Sequence, residues 1–332
     1  MTRPVTPEPA ALAEIVARLA TARRVVVASH ERPDGDAIGS GMALVLALRA
    51  RGVDARMVMA EVPPPYLRPF PGVDGLWIAS EVTESFDAAV IMECSSLART
   101  GVAGLDRSPV INIDHHPGNS GYGAVNWVDE SAAACGELVF TLLEALDAPL
   151  GAEIATHVYL AILTDTGSFH FSHMTPRTFE IAARCVAAGA QPEWIARTHY
   201  DSNSMARVRL FGTVLAAMTV DPTGRIAILA ITPAMAAAAG GTYDDTEGLI
   251  NFPLSVAGVR AVAFLKETAV PGEWRVSLRS KGATDVGEVA KARGGGGHRN
   301  AAGCGARGAL DAVRQEFLEA LGAAVAAAPE DA

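Results

Sequence analysis

A chain of 332 residues, half of them apolar, is long for one hydrophobic core and is expected to form two domains. With 27 Lys and Arg against 37 Asp and Glu its formal charge is −10, which excludes a protein that coats long nucleic acid by charge alone but not one that takes a small anion. The four cysteines, Cys94, Cys135, Cys185 and Cys304, form no CxxC pair, so neither a disulfide framework nor a zinc finger is expected, and reduced cytoplasm fits best. No apolar stretch approaches the ~20 residues needed to cross a bilayer without a charge, Gly or Pro. The N-terminal segment contains acidic residues and does not read as a signal peptide, so a soluble protein with no membrane partner is expected.

A helix over "PEPAALAEIVARLA" comes first in the chain. "RRVVVASH", a β-branched run, predicts a strand, and "DAIGSGMALVLALRARG" follows with helical apolar spacing and a terminal Gly. "VDARMVMA", "GLWIAS", "FDAAVIMECS" and "SPVINIDHH" are short apolar runs closed by polar residues, as parallel strands covered on both faces require. Helices are predicted next, over "CGELVFTLLEAL", "AEIATHVYLAILTD", "TPRTFEIAARCVAAG" and "SMARVRLFGTVLAAM". From about residue 216 the texture changes. "DPTG" turns between "LAAMTV" and "RIAILAIT", and "VRAVAFLKETAVPGEWRVSLRS" reads as a hairpin with "PGE" at its tip. The helix "DVGEVAKAR", the loop "GGGGHRNAAG" and the helix "ALDAVRQEFLEALGAAVAA" complete the chain. The expected fold class is α/β: a doubly wound, mostly parallel sheet domain over residues 1–198, a linker helix over 199–215, and a smaller α+β domain over 216–330. The active site is expected in the cleft between the two domains.

Ligands of open α/β sheets bind beyond the carboxyl ends of the strands. Here those ends carry acids and imidazoles: His30, Asp34 and Asp36 in "SHERPDGDAIGS", Glu93 in "IMEC", and Asp114, His115 and His116 in "IDHH". The helix ending "AILTDTGSF" adds Asp165. Taken singly, each has a plain structural role as a turn, a strand end or a cap. Together in one crevice they would repel unless cations neutralise them, and two metal ions are the simplest solution. Mixed carboxylate and imidazole donors suit a divalent ion such as Mn2+, whereas structural zinc favours thiolates.

"HxxPDGDAIGS", "DHH", "TDTGSF" and the late "GGGGHRNAAG", in that order, resemble the DHH phosphoesterase superfamily in its branch with a DHH-associated C-terminal domain. Length and ending are similar to the nanoRNase/pAp phosphatase group, which shortens very short RNAs and dephosphorylates 3′-phosphoadenosine 5′-phosphate. The resemblance implies one metal held by His30, Asp34 and the acid at 93, and a second held by Asp36, the same acid, His115 and Asp165. It implies two Mn2+ per site, with Mg2+ or Co2+ not separable by spacing. Asp114 would fix the imidazole of His115, and His116 would contact the phosphate and stabilise developing charge. A water shared by the metals would attack phosphorus, with no protein nucleophile.

The family places Asp where this chain has Glu93. Asp87 stands at the start of that strand and Asp106 past its end, so Glu93 is the acid at the right place. In the second domain "GGGGHRNAAG" is no P-loop, since no Gly-Lys-Ser/Thr follows. Glycine N–H groups at Gly296 and Gly297 can nevertheless approach an anion closely. The resemblance implies that this loop and "SLRSK" grip the substrate through Arg279 as a phosphate fork, with Ser280, His298, Arg299 and Asn300 beside it. Arg99 is a further phosphate candidate or a surface arginine. His170 and His173 are read as peripheral, His157 as a core or interface histidine, and Phe252 and Tyr243 as core aromatics that could also stack on a base.

The expected enzyme is a Mn2+-dependent phosphoesterase acting on short RNA or small nucleotide phosphates, with no long duplex as partner. The apolar helix "ATHVYLAIL" leaves a homodimer open. The alternatives are a cyclic- or linear-dinucleotide phosphodiesterase and, from another class, a nucleotide-binding sensor weakened by Glu93. A RecJ-like exonuclease is disfavoured because no extra oligonucleotide-binding domain is evident, and a pyrophosphatase by the nucleotide-gripping motif.

Overall fold

The computed structural model of the protein describes residues 10–170, 174–246, 248–297 and 299–329. The chain divides into two compact units between residues 202 and 203.

The first unit runs α1 (Ala10–Thr21), β1 (Arg24–Ala28), α2 (Gly35–Ala50), β2 (Asp54–Met59), β3 (Trp77–Ile78), β4 (Ala88–Met92), β5 (Val110–Asp114) and β6 (Val125–Val128). Four helices follow: α3 (Cys135–Ala145), α4 (Ala152–Asp165), α5 (Pro176–Ala187) and α6 (Pro192–Tyr200). The six strands form one sheet in the order β3-β2-β1-β4-β5-β6, and every pairing in it is parallel. Val25, Val26, Val27 and Ala28 are all fully buried, which is why their run is continuously apolar instead of alternating. The direction of winding reverses between β1 and β4, so the crevice of a doubly wound sheet opens at the ends of β1, β4 and β5. The sequence does not announce β6 or α6; β6 is only four residues, "VNWV".

α2 is buried on all sides from Gly35 to Val45 and packs on α4. Backbones meet at Gly39, where a Cβ would lie 2.5 Å from the His157 carbonyl oxygen and 2.9 Å from the Ala161 nitrogen. The glycine of the "AIGS" segment is therefore a contact point between the two helices.

The second unit contains α7 (Met205–Ala216), β7 (Thr219–Val220), β8 (Ile226–Ile231), α8 (Pro233–Ala239), α9 (Asn251–Leu254), β9 (Ala261–Glu267), β10 (Glu273–Ser280), α10 (Val286–Lys291), β11 (Gly296–Gly297), β12 (Ala301–Arg307) and α11 (Leu310–Ala327). Its sheet has the order β11-β12-β10-β9-β8-β7, with β8 and β9 parallel and the other pairs antiparallel. Alternate residues serve two cores. Ile226, Ile228, Ala263 and Leu265 pack with Phe317 and Leu321 of α11, while Ala227, Leu229, Val262 and Phe264 pack with Leu210 and Val214 of α7. The helix expected as a linker thus contributes core to this unit.

Part of "GGGGHRNAAG", expected as a loop, is instead the edge of this sheet: Gly296 pairs with Gly303 and Gly297 with Ala302. Gly297 has φ 137, and a Cβ there would lie 2.5 Å from both the Ala301 oxygen and the Ala302 Cα. No other residue fits that turn.

Candidate metal centre

The centre is assembled from the ends of three neighbouring strands and the ends of two helices. Asp34 caps α2, its Oδ1 accepting from the Ala37 N–H at 2.9 Å, as a short acid at a helix start does. Its Oδ2 lies 3.7 Å from His30 Nε2. The other ring nitrogen of His30, Nδ1, is 2.8 Å from the Glu31 carbonyl, which leaves Nε2 for the crevice.

Asp36, fully buried, accepts from the Cys135 N–H at 2.7 Å, the Gly136 N–H at 3.1 Å and the Ser40 hydroxyl at 2.6 Å. It supplies the cap that α3 lacks from its own Ala134 and offers a negative charge to a helix N-terminus. Its Oδ2 is 3.8 Å from His115 Nε2.

His115 is the hub. Its Nδ1 is 3.1 Å from the Ala132 carbonyl, so the ring donates there and turns Nε2 inward. Around Nε2 stand Asp165 Oδ2 at 3.4 Å, Glu93 Oε1 at 3.5 Å and Asp36 Oδ2 at 3.8 Å. Among the described residues, neither His115 Nε2 nor Glu93 Oε1 has a hydrogen-bond partner, although both are buried. Orphaned buried polar atoms are costly, and here a cation among them would satisfy both. Asp36, His115 and Asp165 present donors within 4.8 Å of one another, and so do Glu93, His115 and His116.

The charges show the same strain. Burial, then Asp36, pushes the Glu93 carboxyl well above its usual range. Burial, then Asp165, raises Asp36 to about 7, and burial raises Asp165 to about 6. Burial alone would lower His115, but Glu93, with Asp36 and Asp165, pushes it up to about 11. Without a cation, a proton on His115 carries the compensating positive charge. The field of Asp34 adds to the shifts at Asp36, Glu93 and Asp165, so Asp34 belongs to the same cluster. The donor set, carboxylates with imidazoles and no thiolate, has the make-up of a divalent-metal site.

Glu93 directly follows β4 with φ 60, in the left-handed region, at a cost of about 1–2 kcal/mol for a residue with a Cβ. Asp87, at the other end of that strand, accepts from the Arg23 and Arg24 N–H groups and serves the backbone.

Contrary to the expectation from the motif, Asp114 does not fix the imidazole of His115, which is held by the Ala132 carbonyl. Its Oδ1 accepts from His116 Nδ1 at 2.9 Å and from the N–H groups of His115 and His116, and its Oδ2 accepts from Asn119 Nδ2 at 2.7 Å. The adjacency of two histidines left the partner open; the direction of the buried carboxylate at the end of β5 selects His116. With Nδ1 on Asp114, the ring of His116 is held in one orientation, its other nitrogen turned away from that carboxylate.

Arg99 is exposed, and its carbonyl accepts from the Glu31 N–H at 2.9 Å, which puts it beside the His30 turn. In the second unit, Arg279 is partly buried and donates to the Leu278 carbonyl. Asn300 donates to the Ser280 hydroxyl at 2.9 Å and to the Gly282 carbonyl at 3.0 Å, while Ser280 donates to the Thr284 carbonyl at 2.6 Å. Ser280 and Asn300 therefore brace the turn that carries Arg299, which is exposed. His298 and His173 lie outside the described residues. His157 is fully buried, 2.8 Å from the Pro71 carbonyl, and burial lowers it to about 4, a core histidine. His170 is exposed. Phe252, expected in the core, is 52% exposed and meets Phe211 edge-on, whereas Tyr243 packs against the core.

Sequence reasoning did not single out Ser40, Asn112, Asn119 or Tyr122. Asn119 was within sight, three residues past His116, but an Asn after Pro-Gly reads as an ordinary turn.

Comparison with known proteins bears on this centre. Residues 24–162 match the DHH family N-terminal domain and residues 229–327 the DHHA1 domain. The chain is 35% identical, over 90% of its length and 89% of the relative's, to the bifunctional oligoribonuclease and PAP phosphatase NrnA of Thermus thermophilus. Among solved structures it is similar to an exopolyphosphatase-related protein from Bacteroides fragilis, with TM-score 0.85 and 25% identity over 97% of this chain and 98% of that one. It shares a fold with RecJ of Thermus thermophilus in complex with Mn2+, with TM-score 0.55 and 16% identity over 98% of this chain and 56% of that one. With both domains matched in order and a relative alignable over nine-tenths of its length, the chain belongs to the DHH family and carries a DHHA1 domain.

Proposed function

We propose that the chain is a metal-dependent phosphoesterase that hydrolyses short oligoribonucleotides and 3′-phosphoadenosine 5′-phosphate, the activities named for its Thermus thermophilus relative. The observation that carries this reading is the pair of orphaned buried atoms, Glu93 Oε1 and His115 Nε2, set among Asp36 and Asp165. His30, Asp34 and Glu93 would hold one divalent ion, and Asp36, Glu93, His115 and Asp165 a second, with Mn2+ the expected metal. Such ions supply Lewis acidity at a phosphoryl oxygen and lower the pKa of a water.

The protein's own part is to position and to hold charge. Ala132 and Glu31 carbonyls aim His115 and His30. Asp114 holds Nδ1 of His116 and so orients the imidazole, which would contact a phosphoryl oxygen. The two cysteines at the centre are unsuited to nucleophilic attack: burial pushes the Cys94 thiol up to about 12 and Cys135 well above its usual value, so thiolate is scarce. Water is the remaining nucleophile. Arg99 on the first unit, and Arg279 and Arg299 on the second, would each grip a phosphate, a guanidinium matched to an anion.

A turnover assay with Mn2+ tests the reading on a 5′-phosphorylated RNA dinucleotide, 3′-phosphoadenosine 5′-phosphate, a cyclic dinucleotide and a long single strand. Rapid release of mononucleotide from the first and of phosphate from the second is expected. Turnover of the cyclic dinucleotide alone would reassign the substrate, and tight nucleotide binding in the presence of Mn2+ with no turnover of any would make the protein a nucleotide sensor.

A further inference from the structure

We infer that Asn119 and Tyr122 are positioning residues, clamping the backbone just past Glu93 and tying it to Asp114 so that the carboxylate is presented to metal; the inference rests on the metal-centre reading above. Glu93 has φ 60, a conformation that Asn and Asp adopt several-fold more readily than other residues with a Cβ. Something must hold it there. On one side the Glu93 N–H donates to the Ile113 carbonyl of β5 at 3.2 Å. On the other, the Cys94 carbonyl accepts twice, from Asn119 Nδ2 at 3.0 Å and from the Tyr122 hydroxyl at 3.1 Å. The next carbonyl, Ser95, also accepts twice, from the N–H and the hydroxyl of Ser120, each at 3.0 Å. Four donors from residues 119–122 thus fall on two consecutive carbonyls immediately after the kink.

Asn119 does more than close a loop. The same carboxamide nitrogen donates to Asp114 Oδ2 at 2.7 Å, and its oxygen accepts from the Gly121 N–H at 2.9 Å and from Asn112 Nδ2 at 2.8 Å. Asn112 is fully buried and also donates to Asn126 Oδ1 at 3.0 Å, which anchors the chain of amides in β6. One side chain therefore couples the kink that bears Glu93 to the carboxylate that holds His116. Buried networks of this kind, with every member satisfied, fix geometry more than they add stability.

Tyr122→Phe removes one hydrogen bond and leaves the ring. It is expected to weaken Mn2+ binding in calorimetry and to lower kcat, each by about 3- to 10-fold, with KM for 3′-phosphoadenosine 5′-phosphate changed less than about twofold. Asn119→Leu, which also releases Asp114, should lose more of both; if it fails to fold, Tyr122→Phe still decides. A lowered melting temperature with Mn2+ affinity and kcat unchanged would make the contacts merely structural and overturn the inference. The second arm repeats Tyr122→Phe in a Glu93→Asp background. Asp tolerates the left-handed backbone better, so the factor in Mn2+ affinity should shrink below about twofold. An undiminished factor would show that the hydroxyl does not act through the backbone at 93. If the wild-type chain binds Mn2+ but turns over neither substrate, the proposed activity fails, and the Mn2+ affinities still settle the clamp.

Discussion

Gly39→Ala adds a single methyl group where α2 crosses α4, and it should damage the metal centre without touching a ligand. The methyl carbon would sit 2.5 Å from the His157 carbonyl oxygen, 2.9 Å from the Ala161 nitrogen and 3.0 Å from its Cβ. Ordinary contacts need ~3.5 Å, so the helices must part by about 1 Å. Backbone atoms cannot swing aside as a side-chain tip would. Overpacking of this kind costs about 1–3 kcal/mol, a fall of roughly 2–12 °C in Tm for a unit of this size. The larger effect is geometric: α2 carries Asp36 in its first turn and α4 ends on Asp165, and both face His115 Nε2. A 1 Å misplacement of reacting groups can cost about 10²-fold in rate. The assay is kcat with saturating Mn2+ and substrate, alongside Tm and calorimetric Mn2+ affinity. Gly212→Ala is the control: it lies within α7 with no atom within 4 Å of the added carbon, and the better helix former should raise stability by up to about 1 kcal/mol. Wild-type kcat, Tm and Mn2+ affinity in Gly39→Ala would refute the close packing of α2 on α4 and its role in setting the distance between the two acids.

Mn2+ binding should release protons, because His115 is held up at about 11 and Asp36 at about 7 when no cation is present. Raised values mean that protons compete with the metal, so affinity should fall as pH is lowered from about 8 to about 6. Calorimetry in buffers of different ionisation enthalpy reads the release directly, and a buffer-independent heat would contradict it. His115→Gln removes the nitrogen around which three carboxylates stand, and should cost at least about 100-fold in Mn2+ affinity or kcat; near-normal turnover would displace His115 from the centre. Arg279→Ala should raise KM about tenfold while leaving Mn2+ affinity unchanged, and an unchanged KM would return Arg279 to a structural role at the end of β10.

The acids and imidazoles were legible because each stands where an apolar run ends, and burial on both faces makes such runs continuous. That argument fails for short elements: "VNWV" is too brief to show a period, and only its ladder with β5 defines β6. It fails also for glycines. "GGGG" reads as loop by composition, but the edge pairing of Gly296 and Gly297 depends on β12 lying alongside. Hydrophobicity places Phe252 in the core, but that rule holds in one direction only, since exposed apolar residues are common.

Local sequence dictates the donor chemistry and its order: His30, Asp34 and Asp36 after one strand, Glu93 after another, Asp114, His115 and His116 after a third, and Asp165 closing a helix. These follow from local pattern, because residues next to one another at a strand end stay together in any fold that contains the strand. Tertiary structure alone decided which partner each donor has. Asp36 caps a helix that begins 99 residues later, Asp114 holds His116 and leaves His115 to Ala132, and Glu93 enters the centre through a left-handed turn. Hydrogen bonds depend on direction over a few tenths of an ångström, and direction is set by the packing of distant segments, which no spacing in the chain encodes.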